Sequence, residues 1–395
     1  MPQTTTKFAP ARDPVQLDGR TLEGGGQLLR TAAVLAALLE QPLEVHDVRG
    51  NRENNKGTQG GLRAQHIACI STLANWSSST TSHLKKESSQ VSFHPRKSGA
   101  TPKYWTDRPI PGALSPRRTA SIEVAGVGSI MLLLQAVLPY ILYNGPKASE
   151  EPTPLHLTVT GGTHVGKAPT LDYFTQVFVP TLANLGYPTI TVTEKHRGWS
   201  TGTATPGEVE LVIPSIPAGT TIPAFTMQDR GDIIGYDVTF IVPSDARRSF
   251  HETLTNWFQN RADGTDMTIV KDDDSGNPSR YYLLIVAADM TRKVWGWLQQ
   301  ELDNGGCVDE YLQDQLVVYQ TLAEGESVVN AGSWGEGSLH TQTVRWVGSE
   351  MADAKWKAVE VEGAEEEEAG KYIYRCSGVG LVSSAGEGWA EEEAV

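Results

Sequence analysis

Hydrophobic residues along this chain recur in one order: a turn with glycine, an apolar stretch at helical spacing, and a run that alternates apolar and polar residues. Residues 22–48 show the order, with apolar positions at Leu28, Leu29, Ala32, Leu35, Leu39, Leu43, Val45 and Val48. Residues 127–162 repeat it, and similar patterns follow at 168–195, 308–325 and 340–363. Helices that alternate with short strands predict an α/β protein of α+β layers, with helices covering one face of each sheet.

Two regions depart from this order. Residues 76–118 are rich in Ser, Thr, Pro, Lys and Arg, which predicts a long, partly ordered surface loop. Residues 212–304 have the pattern strand, helix, hairpin, strand and helix, which predicts a small inserted α/β domain. The predicted organisation is therefore a disordered N-terminus at 1–16, a large domain at 17–211 and 305–382, the insertion at 212–304, and an acidic tail at 383–395.

Composition narrows the classes of protein that fit. The chain has 395 residues and three widely spaced cysteines, which disfavours a disulfide framework or a structural zinc site and fits a reducing, intracellular compartment. The longest apolar run, residues 130–143, contains Gln135 and Pro139 and is shorter than the roughly 20 residues of a membrane-spanning helix, so we expect no membrane association. The N-terminus has no apolar region typical of a secretory signal.

The net charge of −14 disfavours nucleic acid as a partner only at first sight. Residues 350–395 hold twelve acidic and four basic residues, a net charge of −8, which leaves −6 for the first 349 residues. Because the acidic runs lie near the C-terminus, we interpret them as a solvated loop and tail. Net charge therefore does not decide the partner.

A run of three glycines, Gly24 to Gly26, stands at the start of the first predicted helix, between Glu23 and Gln27. Glycine lets a backbone approach a ligand closely, and the N-terminus of a helix favours anions, so one interpretation is a phosphate cradle with Arg30 one turn later. The other interpretation is a tight turn between a strand and a helix. The segment lacks the Lys-Ser/Thr of a Walker loop.

Three further segments carry candidate polar groups. Residues 48–66 form a basic, glycine-rich loop that fits either phosphate binding by arginine or an ordinary exposed loop. In "VDEYLQDQL", Tyr311 and Asp314 share a helical face, which fits either hydrogen bonding to a partner or an amphipathic helix with solvated acids. In "GSLHTQTVRW", His340 stands at or beside a predicted helix start, and taken alone it is more typical of a structural histidine.

Together these segments resemble the RNA 3′-terminal phosphate cyclase family, most closely its eukaryotic, catalytic members. The matching segments are "DGRTLEGGGQLLRTA", "VRGNR…GGLRAQH", "TGGTHVGKAPTLDY", "RGW…PGEVEL", "CVDEYLQDQL" and "LHTQTV". They occur in the family's order between about residues 17 and 382. The resemblance implies a large domain of repeated units, each a helix pair on a four-stranded sheet, with a small inserted α/β domain.

The resemblance also implies a function. ATP and a divalent ion, Mg²⁺ or Mn²⁺, serve the reaction, and an RNA with a 3′-phosphate end is the substrate. His340 is the implied nucleophile: it takes AMP from ATP and passes it to the RNA end, and the 2′-hydroxyl then closes a 2′,3′-cyclic phosphate. The implied ATP and phosphate contacts are Glu23, Gly24, Gly25, Gly26, Gln27, Arg30, Tyr311, Asp314 and Gln315, with Glu23 also a candidate metal ligand. The implied RNA contacts are Arg49, Arg52, Gln65 and His66.

The sequence departs from the family in four places. The loop from Arg52 to Gly61 is about five residues longer than the family's, and Gly60 replaces a usual proline. The family's Pro-x-Gly-Gly-Gly is reduced to "RGWSTGTATPGEV" at 197–209. The inserted domain is shortened after "YYLLIVAA", and residues 98–118 are an addition.

Two other functions fit parts of the pattern. A non-catalytic cyclase-like protein of ribosome biogenesis would share the fold but lack the histidine. An enolpyruvyl-transferase-like enzyme would share a repeated architecture but not "LHTQT" as a nucleophile site. The resemblance to eukaryotic cyclases further implies a location in the nucleus, with the cytoplasm as the alternative, and the sequence indicates no oligomeric state.

Overall fold

We describe the protein from a computed structural model. The structure describes residues 12–52, 60–95, 106–108, 117–145, 153–228, 235–261, 266–288, 290–292, 304–333, 335–360 and 372–385. Several predicted features lie outside these residues: the start of the N-terminal segment, most of the lengthened loop, most of the last helix predicted for the insertion, the four glutamates at 365–368 and the end of the tail.

The first unit is a four-stranded sheet with two helices. Its elements are β1 (Val15–Asp18), α1 (Gly26–Leu39), β2 (Leu43–His46), α2 (Ala64–Trp76), β3 (Thr80–Ser82) and β4 (Val91–His94). The strand order is β1-β2-β4-β3, and β1 pairs with β2 in parallel. A parallel pair requires a crossover, which α1 provides.

The second unit has a five-stranded sheet and a similar plan. Its elements are β5 (Thr106–Arg108), β6 (Arg117–Glu123), α3 (Ile130–Tyr143), β7 (Asn144–Gly145), β8 (Leu155–Gly161), α4 (Leu171–Tyr173), a π-helical segment (Phe174–Phe178), α5 (Val179–Asn184), β9 (Thr191–His196) and β10 (Gly207–Ile213). The sheet order is β5-β6-β8-β10-β9, and β7 lies apart from it. Alternate residues of β8 are buried, because the strand packs one face on the helices.

Two further four-stranded sheets follow, and the last short strand of the described chain pairs with β7. The chain continues through β11 (Thr226–Met227), β12 (Gly235–Val242), α6 (Arg247–Arg261), β13 (Asp266–Asp274), β14 (Tyr282–Ala288) and β15 (Met290–Arg292). It then forms α7 (Glu310–Leu322), β16 (Glu326–Gly332), α8 (Leu339–Ala352), β17 (Lys355–Glu360), β18 (Tyr372–Ser377) and β19 (Ser384–Ala385). One sheet has the order β13-β12-β14-β15, and the other has the order β11-β16-β18-β17.

We call β12 to β15 with α6 the small unit, since these elements enclose their own core. Its buried residues are Tyr236, Val238, Phe240, Val242, Leu254, Phe258 and Ile285. The separate sheet begins at Gly235 rather than near residue 212. The reason is that β10 continues to Ile213 in the second sheet, while β11 pairs with β16 of the last one.

The main core is a layer of helices, with α1 at its centre. This helix contacts α2, α3 and α8, and α8 in turn contacts α7. Ala32, Val34, Leu35 and Ala36 of α1 are completely buried. Alanine at the contact points lets the axes of the neighbouring helices approach α1 closely.

The predicted α+β fold of helices layered on small sheets is confirmed. Two details were wrong. The region 76–118 is not a continuous surface loop, because it contributes β3 and β4, whose Val91 and Phe93 are buried. Val15 and Gln16, assigned to a disordered N-terminus, belong to β1.

Cys69, Cys307 and Cys376 are all buried. In the part of the chain that the structure describes, no helix combines the length and the apolar character needed to cross a membrane.

Candidate active site

The first turns of five helices converge on one cavity of about 750 Å³. It is lined by residues near the starts of α1, α2, α3, α7 and α8. Each helix N-terminus carries a partial positive charge, so their convergence favours an anionic ligand. The cavity brings together most of the predicted site residues: Glu23, Gly26, Gln27, Arg30, Arg49, Arg52, His66, Tyr311, Asp314, Gln315 and His340.

The glycine turn shapes one end of this cavity. Gly24 has a φ of 58°, in the left-handed region that favours glycine. A Cβ on Gly26 would lie 2.6 Å from His66 Nε2 and 2.9 Å from the guanidinium Nη1 of Arg30, so a larger residue would clash with both. Gly25 caps α1 without a side-chain hydrogen bond, which leaves the first backbone amides of α1 available to an anion.

Three arginines place positive charge at the cavity. Arg30 is buried, and its guanidinium donates to Gln27 Oε1 while its Nε has no hydrogen-bond partner. Burial lowers the pKa of Arg30. Burial and nearby Arg63 likewise lower the pKa of Arg49, whose guanidinium reaches the Gly61 carbonyl at 3.4 Å. Arg52 pairs with the Glu23 carboxylate. Arginine is suited to phosphate because its planar donors match the phosphate oxygens.

His66 is a neutral histidine with a defined tautomer. Burial, followed by the charges of Arg30, Arg49 and Arg63, lowers its pKa to about 3. The backbone N–H of Arg63 donates to His66 Nδ1 at 3.2 Å. Nδ1 is therefore an acceptor, and Nε2 carries the proton toward the glycine turn.

The side chain of Gln65 lies elsewhere. Its amide nitrogen donates to the Ser129 carbonyl at 3.0 Å, and Gln65 is absent from the cavity lining, as are Gly24 and Gly25. An RNA contact by Gln65 stays a prediction.

His340 stands in the first turn of α8, next to the glycine turn. The helix begins at Leu339, one residue before the predicted start, and Ser338 caps it by accepting a hydrogen bond from the Thr341 N–H. The side chain of His340 is 50% exposed, and its Nδ1 lies 3.8 Å from Glu23 Oε2. That carboxylate oxygen is buried and has no hydrogen-bond partner. Glu23 therefore favours a proton on Nδ1, which leaves the Nε2 lone pair unprotonated.

The surroundings of His340 keep it neutral. Burial lowers its pKa, and the charges of Arg30 and Arg52 lower it further, against an opposing effect of Glu310. A neutral imidazole is a nucleophile, whereas an imidazolium is not. The arrangement is therefore suited to attack on an electrophilic phosphorus.

Asp314 of α7 is an acid held in its protonated form. It is buried, and burial raises its pKa to about 8, with contributions from Asp309 and Glu310 and an opposing effect of Arg30. On the same helix, the Gln315 side chain donates to the Tyr311 carbonyl at 2.8 Å. Asp309 accepts hydrogen bonds from the Tyr311 and Leu312 N–H groups and from the Tyr173 hydroxyl, so it fixes the start of α7.

The remaining residues that line the cavity are not predicted by the sequence. These residues are Leu132, Gln135, Lys167, Ala168, Pro169, Thr170, Tyr173, Tyr282, Leu283, Leu284, Glu310 and Ser338. Residues 167–170 and Tyr173 lie in "GKAPTLDY", a segment quoted above for the resemblance. Tyr282 to Leu284 come from the small unit, and no local pattern indicates that they reach this cavity.

The altered loop at 197–209 lies outside the cavity. Of the described residues in 197–209, none lines it. Gly60 has a φ of 59°, and a Cβ there would lie 2.5 Å from the Val48 carbonyl oxygen. Proline cannot adopt a positive φ, so the backbone at Gly60 differs from that of family members with proline at this position.

The profile of the RNA 3′-terminal phosphate cyclase family matches residues 21–358. The chain belongs to this family. The matched segment contains every residue that lines the cavity, from Glu23 to His340. The resemblance predicted from the sequence is thus confirmed, and the enolpyruvyl-transferase interpretation is left without support.

Individual cyclases align along nearly the whole chain. A protein named RNA 3′-terminal phosphate cyclase from Methanosarcina mazei is 27% identical over 90% of this chain and 100% of its own length. The protein of that name from Drosophila melanogaster is 24% identical over 94% of this chain and 99% of its length. A probable RNA 3′-terminal phosphate cyclase from Dictyostelium discoideum is 25% identical over 86% and 77%. Archaeal and eukaryotic relatives are similarly distant, so closeness to eukaryotic cyclases stays a prediction.

One hydrogen bond joins the His340 helix to the glycine turn of this cyclase-family chain. The Thr343 hydroxyl accepts from the Glu23 N–H at 3.1 Å and donates to the Leu339 carbonyl at 2.6 Å. Thr343→Val keeps the shape but leaves that N–H unpaired, at a cost of about 1–2 kcal/mol. For the reaction with ATP that the sequence predicts, we expect the rate to fall about tenfold, since small displacements of reacting groups are costly.

The measurement is the single-turnover rate with labelled ATP. Thr343→Ser retains the hydroxyl and should restore most of the rate. An unchanged rate in the folded valine variant would show that this link does not position His340.

The buried acid makes a separate prediction about stability and pH. The folded pKa of Asp314, about 8, exceeds the unfolded value, which is about 3.9. Folded protein therefore holds a proton that unfolded protein has released, and this contribution to stability is lost as pH rises from about 4 to 8. We expect the Tm of Asp314→Asn to increase relative to the Tm of the wild type as pH rises. This difference in Tm should become constant above pH 8.

Melting curves between pH 5 and 9 test this expectation. Asp353→Asn serves as the control, since the Asp353 side chain is 86% exposed. Parallel Tm profiles for Asp314→Asn and the wild type would contradict it.

Proposed function

We propose that the protein is an ATP-dependent RNA 3′-terminal phosphate cyclase in which His340 is the nucleophile. The observation that carries the proposal is the half-exposed, neutral imidazole of His340 beside Glu23, in a cavity that also holds Arg30, Arg49 and Arg52. Family membership supports the substrate class, an RNA with a 3′-phosphate end.

In the first step, the lone pair of His340 Nε2 attacks the α-phosphorus of ATP. A P–N bond forms, the P–O bond to the β-phosphate breaks, and pyrophosphate leaves with the electron pair. The Nδ1 proton faces Glu23 Oε2 at 3.8 Å, so the carboxylate stabilises the positive charge that develops on the ring. Arg30 and the uncapped amides of α1 offset the charge on the phosphates.

In the second step, an oxygen of the RNA 3′-phosphate attacks the phosphorus of the His340–AMP adduct. The P–N bond breaks, its electron pair returns to Nε2, and the RNA carries AMP through a diphosphate. The neighbouring 2′-hydroxyl then attacks the 3′-phosphorus, AMP leaves, and the hydroxyl proton passes to solvent. Arg49 is suited to hold the RNA phosphate, because it lines the cavity and no ion pair neutralises it among the described residues.

The two ends of the cavity suit the two parts of ATP. The arginines and the glycine turn suit the phosphates, and the wall formed by Pro169, Tyr173, Tyr282 and Leu284 suits an aromatic base. A volume of about 750 Å³ lies in the range of small-molecule sites. The RNA is then held by its end and backbone, because the sequence has no motif for reading bases.

A divalent ion fits this site only in company with the nucleotide. Glu23 offers one buried carboxylate oxygen with no hydrogen-bond partner, and the described residues contain no group of three or more His, Cys, Asp or Glu side chains suited to a metal. Mg²⁺ is often held by one or two carboxylates together with phosphate oxygens and water. Such an ion, or Mn²⁺, supplies positive charge to the phosphates, and Glu23 is the residue that would hold it.

The test is the conversion of a short RNA with a 3′-phosphate. With ATP and Mg²⁺, we expect the end to become resistant to phosphatase, while the same RNA without ATP stays sensitive. An end that stays sensitive under all conditions would contradict the proposal. It would favour the non-catalytic role in ribosome biogenesis, which co-sedimentation with pre-ribosomal particles measures.

The resemblance to eukaryotic cyclases also leads us to propose a location in the nucleus. Imaging the tagged full chain tests it, and a purely cytoplasmic signal would refute it.

A further inference from the structure

Four ionisable side chains, two of them buried and two half-buried, lie where the small unit meets the rest of the protein. We call His164, Asp172, Glu194 and Lys271 the seam cluster. Lys271 Nζ of β13 is 2.8 Å from Asp172 Oδ1 and 3.1 Å from Glu194 Oε2. His164 Nε2 is 3.0 Å from Asp172 Oδ2. None of the four lines the catalytic cavity.

Asp172 is the centre of the cluster. Only 4% of its side chain is exposed, and Lys271 and His164 each bind one of its carboxylate oxygens. Burial alone would raise its pKa, but the hydrogen bond and charge of His164 and the charge of Lys271 prevail and lower it to about 2. A buried carboxylate is costly without its partners, so Asp172 holds Lys271 firmly.

The backbone of β13 is arranged for this contact. The register between β12 and β13 shifts after Val238, so that Ile269 pairs with Val238 and Lys271 pairs with Thr239. Val270 is the extra residue of this bulge, and it is exposed. A β-bulge changes the direction of the side chains that follow it, and here Lys271 reaches across the seam.

The seam cluster contacts a wall of the catalytic cavity. The ring of Tyr282, on β14 of the small unit, packs edge-on against His164 with centroids 4.9 Å apart. Its hydroxyl is 2.6 Å from Thr170 Oγ1. Tyr282 and Thr170 both line the cavity, so the position of the small unit determines the shape of that wall.

The altered loop at 197–209 covers the other side of His164. The Trp199 ring stacks on His164 with centroids 4.4 Å apart. Arg280 of the small unit lies over Trp199 and donates to the Thr201 and Thr203 carbonyls. The loop thus closes over the cluster and adds a second connection to the small unit.

We propose that Asp172 and Lys271, with His164 and Trp199 packed around them, are positioning residues that seat the small unit so that Tyr282 completes the nucleotide wall of the cavity. They touch neither the reacting atoms nor the nucleotide, and they act through Tyr282 and Thr170. The expected effect on the affinity for ATP rests on the proposed function, whereas the position of the small unit is a property of the fold.

Lys271→Met tests the proposal in the full chain, with Arg247→Met as the matched control. Arg247 also pairs with an aspartate of β13, at 2.7 Å from Asp272, but within the small unit. In Lys271→Met, we expect the ATP concentration for half-maximal adenylylation to rise at least about tenfold, with the saturating rate changed by less than about threefold. Lys271→Arg should recover most of the affinity, and Arg247→Met should match the wild type.

Hydrogen exchange provides a readout that does not depend on catalysis. Backbone amides of 166–176 and 197–209 should exchange faster in Lys271→Met than in Arg247→Met, because the seam opens more often. If the wild type takes no label from ATP, the proposed function fails while the exchange rates still test the seating.

Tyr282→Phe provides a second test if Lys271→Met fails to fold, because it removes only the hydroxyl that contacts Thr170. It should also raise the ATP concentration for half-maximal adenylylation, by a smaller factor than Lys271→Met does. Unchanged hydrogen exchange at the seam in Lys271→Met would overturn the proposal. If the wild type takes label from ATP, the proposal would also be overturned by folded Lys271→Met and Tyr282→Phe variants that keep the wild-type dependence on ATP concentration.

Discussion

His340→Ala is expected to take up no label from ATP labelled at the α-phosphate, whereas the wild type retains a label that acid releases. The reason is that the P–N bond of the proposed intermediate forms only at His340 Nε2. His66 is buried behind Gly26 and presents a protonated Nε2, so it does not replace His340. The measurement is protein-bound radioactivity after denaturation, followed by its release in acid and its stability in base.

His46→Ala is the control for this experiment. The His46 side chain is 45% exposed, similar to that of His340, and it lies outside the cavity. Its label should equal that of the wild type. Full labelling of a folded His340→Ala variant would refute the assignment of the nucleophile, and labelling that survives acid would refute a phosphoramidate.

Arg30→Met is expected to lower the adenylylation rate by about a hundredfold or more, since it removes a preorganised cation from the reacting phosphates. The same substitution should leave the Tm unchanged or raise it. The guanidinium of Arg30 is buried without a salt bridge among the described residues, and its burial opposes the charged form. Methionine fills a similar volume without that cost. Activity and stability therefore change in opposite directions.

The comparison needs the single-turnover rate and the melting temperature of the same samples. Arg20→Met is the control, because Arg20 pairs with Asp18 and Asp47 outside the cavity. Arg30→Lys keeps the charge and should recover part of the rate. A large fall in Tm together with the loss of activity would indicate that Arg30 supports the fold rather than the reaction.

The helices of the fold follow from the sequence more directly than the strands. The apolar spacing in 28–39 predicts α1, and the run at 130–143 predicts a buried helix, which is α3. Strands β3 and β4 were missed because they lie among Ser, Thr and Lys residues, where composition indicates a loop. Only two residues of β4, Val91 and Phe93, reach the core, too few to establish an alternation.

The sequence predicts those parts of the site that lie within single short segments of the chain. The glycine turn, the arginine loop, "VDEYLQDQL" and "LHTQT" each gave residues that line the cavity. Tyr282 and its neighbours were not predicted, because their role depends on how the small unit packs. The seam cluster was not predicted for the same reason, since Asp172 and Lys271 are 99 residues apart along the chain. Charges that meet only in the folded protein leave no periodic pattern.

The contact between Glu23 and Thr343 joins positions 320 residues apart. Synthesis proceeds from the N-terminus, so a growing chain exposes the arginines and the glycine turn long before the nucleophile is made. Its core also stays open during that time, because α8 packs on α1. On the proposed mechanism, a chain released before α8 is made would therefore have phosphate-binding groups but no nucleophile for ATP.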